Sequence, residues 1–127
     1  MSKKYLVVGG VAGGMSAAAR IRRLDPHADI QVFEKGPHVS FSNCCLPFHL
    51  SGVVPTADDL ILMTPELLKK QYNLDVKVLS EVVKINKEEK TIVIKKVDTG
   101  EEYKESYDKL ILSPGARAIR PSSIKGV

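Results

Sequence analysis

The feature that most constrains this chain is a glycine-rich turn, Gly9-Gly10-Val11-Ala12-Gly13-Gly14, set between the apolar run Tyr5-Leu6-Val7-Val8 and a helical stretch opening at Gly13. A continuous apolar run that ends on glycine is what a strand buried on both faces of a parallel sheet requires. The helical pattern starts with Met15, Ser16 and three alanines. It gathers Arg20, Arg22 and Arg23 toward its C-terminal end, where cations suit the helix dipole, and Asp25-Pro26 stops it near Leu24. A second strand, Asp29 to Glu34, ends at Lys35-Gly36-Pro37, which completes a βαβ unit.

In that setting the turn has the form of a dinucleotide site. Gly9 permits the tight turn, Gly14 lets helix and strand pack closely, and the backbone N–H groups at the helix start face a pyrophosphate. Val11 stands where the G-x-G-x-x-G register has its middle glycine, and Gly10 and Gly13 are the residues that could restore the lost freedom. A glycine turn alone serves packing as readily as nucleotide binding. Glu34 tips the balance: it lies twenty residues after Gly14, at the end of the second strand, where a carboxylate accepts hydrogen bonds from a ribose diol. With no arginine beside it, a 2′-phosphate is disfavoured.

The other elements extend this frame. Leu46 to Leu50 reads as a short helix and Ser51 to Pro55 as a loop. Thr64-Pro65-Glu66 reads as an N-cap, a first-position proline and a first-turn acid, opening a helix through Tyr72. Asp75 to Leu79 alternates as a strand, and Glu81 to Asn86, Thr91 to Val97 and Glu102 to Ser106 form a meander. Lys109-Leu110-Ile111-Leu112 is again a buried parallel strand, closed by Ser113-Pro114-Gly115-Ala116. The expected architecture is a three-layer α/β Rossmann-like domain over residues 1–120 with an inserted antiparallel meander. Residues 121–127 lack periodicity and read as a connector.

Composition excludes several classes. At 127 residues with 43% hydrophobic content, one globular domain is the limit, and no stretch reaches the apolar length of a membrane span. Nineteen Lys and Arg against fifteen Asp and Glu give a net charge of +4, which favours a small anion over nucleic acid. No metal site is predicted. The two cysteines, Cys44 and Cys45, are adjacent, so no disulfide framework is available and a reducing cytoplasm is the expected setting. A free cysteine in this position is either a small buried hydrophobe or a nucleophile.

The turn Gly9 to Gly14, Glu34, the segment Ser40-Phe41-Ser42-Asn43-Cys44-x-Leu46-Pro47, the Thr64-Pro65-Glu66 helix start and the Tyr107 to Ala116 strand-turn together resemble the amino-terminal part of coenzyme A disulfide reductases. These are single-cysteine flavoproteins of the pyridine nucleotide-disulfide oxidoreductase group. The resemblance covers essentially the whole chain. It implies FAD held by Gly9, Val11, Ala12, Gly13, Gly14 and Glu34, with Lys35 close by, Val82 near the adenine, and Ser113, Pro114 and Gly115 near the ribityl and pyrophosphate. It makes Cys44 the redox nucleophile, at a helix start whose dipole lowers its pKa, with Ser40 and Asn43 orienting substrate.

For anionic coenzyme A the resemblance points to Arg23 directly, and to Ser16 and Arg20 as similar or substituted types. Cys45 replaces the family's usual small residue and is expected to be buried, while His49 is expected to be structural and His27 and His38 have less claim still. The family also uses NAD(P)H on a second glycine-rich domain and a carboxy-terminal dimerisation domain. Neither is found in these residues, so the expectation is one portion of a homodimeric enzyme, inactive alone. Two rivals stand beside this reading: an oxidase or peroxidase cycling through a cysteine sulfenic acid, and a non-catalytic nucleotide-binding module.

Overall fold

The computed structural model describes residues 2–127. A parallel sheet has the order β3-β2-β1-β7, formed by β1 (Lys4–Val8), β2 (Asp29–Phe33), β3 (Asp75–Lys77) and β7 (Lys109–Leu112). A second, antiparallel sheet of β4 (Ser80–Asn86), β5 (Thr91–Lys96) and β6 (Glu102–Ser106) is inserted between β3 and β7. Helix α1 (Ala12–Leu24) connects β1 to β2. The short α2 (Leu46–Leu50) and α3 (Pro65–Tyr72) lie between β2 and β3.

Side-chain alternation divides these elements into three layers. On one face of the parallel sheet Val7, Ile30 and Val32 pack with Met15 and Ala18 of α1 and Leu68 of α3, all buried. On the other face Leu6 and Phe33 meet Ile92 and Ile94 of the meander, with Tyr103 and Leu110 packed against them. Lys77 is stationed at this second interface. Its ammonium donates to Gln31 Oε1 at 3.0 Å and lies 5.4 Å from the Phe33 ring centroid and 5.8 Å from that of Tyr103. The charge is therefore met by π faces and an amide oxygen.

The expected three-layer architecture is observed, with β2 and β5 each one residue and β3 two residues shorter at the C-terminal end than anticipated. The alternation across Asp75 to Leu79 breaks after Lys77 because Leu79 adopts φ 50°, a left-handed backbone that turns the chain out of the parallel sheet and into β4. The Thr64 cap is present: its side chain accepts from the Leu67 N–H at 3.3 Å. Arg22 has a structural role that periodicity does not reveal. Its guanidinium donates to the carbonyl oxygens of Tyr72, Asn73, Asp25 and Pro26, which ties the end of α1 to the end of α3. Among the described residues no helix is long and apolar enough to cross a membrane.

Candidate functional site

The turn after β1 is fixed by backbone contact with β2 and β7. Gly9 N–H donates to Phe33 O at 2.8 Å, and Ser113 N–H donates to Val8 O at 2.8 Å. Gly9 has φ 99°, and a Cβ there would fall on the Ser113 carbonyl; a Cβ on Gly14 would fall on the Gly9 carbonyl. Both glycines therefore perform the steric roles read from the sequence. Gly10 and Gly13 differ from each other. A Cβ on Gly10 would press on Val39 and Glu34, whereas at Gly13 the nearest atom is the Ser113 hydroxyl at 3.3 Å.

Helix α1 starts with no side-chain cap and no acid in its first turn. Its first N–H groups face a cleft of about 500 Å³ lined by Gly9, Val11, Ala12, Gly13, Glu34, Asn43 and the Ser113 to Ala116 turn. Glu34 is half-buried at the rim and locally anchored, accepting from Gly10 N–H at 3.1 Å and from Gly36 N–H at 2.7 Å. A smaller cleft of about 230 Å³ continues past it, between Gly9, Phe33, Glu34, Lys35, Val82 and Pro114. Lys35 is exposed there and pairs with Glu81 at 3.6 Å. Of the nucleotide residues read from the sequence, only Gly14 lies behind these walls, buried beneath the turn.

The cysteine segment is laced to the same turn. Ser40 N–H donates to Gly10 O at 2.8 Å, Leu62 N–H to Ser40 O at 3.2 Å, and Ser42 N–H to Leu60 O at 2.8 Å. These bonds shape a pocket of about 400 Å³ whose walls are Val11 at the cap of α1, Ala12, Met15 and Ser16 of α1, Ser40 to Cys44, and Leu62. Val11, Ala12 and Asn43 line both this pocket and the larger cleft, so the two share a wall.

Cys44 is exposed in a single 3-10 turn, Asn43–Cys45, that precedes α2. Its thiol pKa is lowered, first by a hydrogen bond with the Ser42 hydroxyl at 3.5 Å and next by the Cys45 side chain. Cys44 stands just ahead of α2, which has only five residues, and the Ser42 hydroxyl is the first cause of the lowered pKa. Cys45 is half-buried, less enclosed than anticipated. His49 Nδ1–H donates to Val54 O at 2.8 Å, which gives that ring a structural partner.

Ser16, Ser40 and Asn43 line the thiol pocket, whereas Arg20 and Arg23 do not. The two arginines are exposed at i+4 and i+7 from Ser16, on the same face of α1 but one and two turns beyond the pocket. Ser42, Phe41, Met15 and Leu62 belong to the site and were not singled out from the sequence. Their only local signal is proximity to Cys44 or to the turn, and the contact itself comes from chain folding.

Residues 3–127 match the family model described as pyridine nucleotide-disulphide oxidoreductase. The chain belongs to that family. It is 46% identical over 115 residues to the coenzyme A disulfide reductase of Staphylococcus aureus strain JH9, covering 91% of this chain and 26% of that protein. Among solved structures it is similar to reduced CoADR-RHD of Bacillus anthracis, with 56% identity and a TM-score of 0.91 over 96% of this chain and 22% of that one. It is also similar to a NAD-dependent persulfide reductase from A. fulgidus, with 37% identity and a TM-score of 0.89 over 94% of this chain and 22% of the other. The chain thus spans about a quarter of the length of the curated relatives it matches.

Proposed function

We propose that this chain is the FAD-binding, redox-thiol part of an NAD(P)H-dependent reductase of coenzyme A disulfide or a related persulfide. The observation that carries the reading is the shared wall of Val11, Ala12 and Asn43, which sets an exposed, activated thiol against the nucleotide cleft. Features of the cleft that support the cofactor are an uncapped helix start with no acid in its first turn, which suits a pyrophosphate, and the anchored Glu34 carboxylate, which retains acceptor capacity toward a ribose. Gly9, Val11, Ala12, Gly13, Ser113, Pro114 and Gly115 would hold the phosphates and ribityl chain, and Lys35 and Val82 the adenosine end, with Gly14 allowing the helix its close approach. Bound flavin supplies a two-electron reservoir between NAD(P)H and the thiol.

The chain's own chemistry is thiol–disulfide exchange. The Cys44 thiolate attacks one sulfur of the disulfide, a new S–S bond forms to Cys44, and one coenzyme A thiolate leaves. Two electrons returned to that mixed disulfide release the second thiolate and regenerate Cys44. Asn43, Ser40 and Ser16 orient the substrate from the pocket walls, and Arg20 and Arg23 attract its phosphates from the neighbouring stretch of α1. Residues 1–120 form the flavin-binding unit and 121–127 lead toward a nicotinamide-binding domain in a cytoplasmic homodimer.

The test is direct. Reduced protein mixed with coenzyme A disulfide should gain a single coenzyme A adduct by intact mass, mapped to Cys44, with one thiol released per chain. The same protein should keep FAD absorbance after desalting. A Cys44→Ser protein that still forms the adduct, or a chain that retains no FAD, overturns the proposal.

A further inference from the structure

We propose that Ser42 is the positioning residue that keeps the Cys44 sulfur in its thiolate form, by donating its hydroxyl proton to Sγ. The inference rests on the reading of Cys44 as the redox thiol and adds a residue to that site. Ser42 Oγ lies 3.5 Å from Cys44 Sγ, within the longer reach of a bond to sulfur. The hydroxyl has little freedom to point elsewhere, because Ser42 is 8% exposed. Its backbone is pinned from both sides: its N–H donates to Leu60 O at 2.8 Å, and its carbonyl accepts from Cys45 N–H at 3.1 Å. A side chain held this way presents the same donor to the sulfur with little further loss of rotamer freedom.

The surroundings leave the thiolate few other sources of stabilisation. Helix α1 offers it Val11, Ala12, Met15 and Ser16, and the loop strands offer Ser40, Phe41, Asn43 and Leu62. None of these carries a charge, and the one titratable group at the sulfur is the Cys45 thiol. The nearest histidine along the chain, His49, is bonded to Val54 O. The thiol is thus activated without an ionic partner, and the Ser42 hydroxyl is the leading donor, in agreement with the lowered pKa. A neutral donor suits a site that takes up a polyanionic thiol, since it adds no competing charge near the sulfur.

The experiment is the pH dependence of iodoacetamide alkylation, followed by intact mass in a C45S background so that a single thiol reports. S42A removes the hydroxyl and keeps both backbone bonds. Its alkylation midpoint should move to higher pH, with the rate below the midpoint falling on the order of threefold or more, because only the thiolate reacts. S42T, which restores a hydroxyl, should recover much of that loss. A second measurement needs no hydroxyl variant: the folded C45S chain should titrate below the same chain unfolded in urea. An S42A midpoint equal to that of its parent, or a folded midpoint no lower than the unfolded one, overturns the proposal. Alkylation requires neither flavin nor coenzyme A, so failure of the reductase reading would show separately, as a missing coenzyme A adduct on a thiol whose titration still depends on Ser42.

Discussion

The glycine turn and the cysteine segment sit side by side and are held in opposite ways. The turn is defined by what cannot fit: Cβ positions at Gly9 and Gly14 are occupied by carbonyl groups of Ser113 and Gly9, and the surrounding strands are buried. The cysteine segment is defined by a few backbone bonds to Gly10, Leu60 and Leu62, and most of its side chains face outward: Cys44, Leu46, Phe48 and Leu50 are exposed. A rigid base beside a lightly held loop suits a site that must grip one ligand permanently and exchange another. The turn shapes the fold and the adjoining cleft together, so it cannot vary without the fold. The loop encodes reactivity and can change with little cost to the scaffold.

Three substitutions sharpen that contrast, in order of expected cost to stability. Gly14→Ala should be the most damaging, on the order of 3 kcal/mol or more, because α1 must separate from β1 to admit the methyl group. Urea denaturation measures it, and a cost below about 1 kcal/mol would show that the turn is less rigid than its geometry implies. Arg22→Ala should cost about 1–2 kcal/mol, since two carbonyl contacts joining α1 to the end of α3 and two closing the end of α1 are lost at a partly solvated site. If its midpoint matches that of the unsubstituted chain, the arginine is a surface ornament and not a tie. Cys44→Ser should leave the denaturation midpoint unmoved while eliminating the coenzyme A adduct, and a large stability loss there would erase the distinction between base and loop.

Side by side with these contacts, the sequence was most legible where one residue type has one physical use. The apolar run before Gly9, the Thr64 cap and the meander strands are local signals, and each is found at or within a residue or two of its expected place. The placement of Glu34 beside the glycine turn is legible because strand length and turn length set its distance from the glycines. Leu79 was missed because nothing in an alternating run announces a left-handed residue at its end. Arg22 looked like its neighbours Arg20 and Arg23. It differs from them only in facing the end of α3, some fifty residues later in the chain.

The chain's order of residues determined the βαβ frame and the glycine turn, which follow from periodicity, glycine sterics and short spacings, and it carried the motifs by which the family is met. Tertiary structure decided which groups meet the sulfur. Ser42 is brought to 3.5 Å from the Cys44 sulfur because Leu60 and Gly10 set the path of the loop. Arg20 and Arg23 lie outside the thiol pocket because they stand one and two turns further along α1 than Ser16, the last residue of that face to line it. The physical reason is the same throughout: a local pattern fixes how a segment folds, while the chemistry of a side chain depends on neighbours that arrive from elsewhere in the chain.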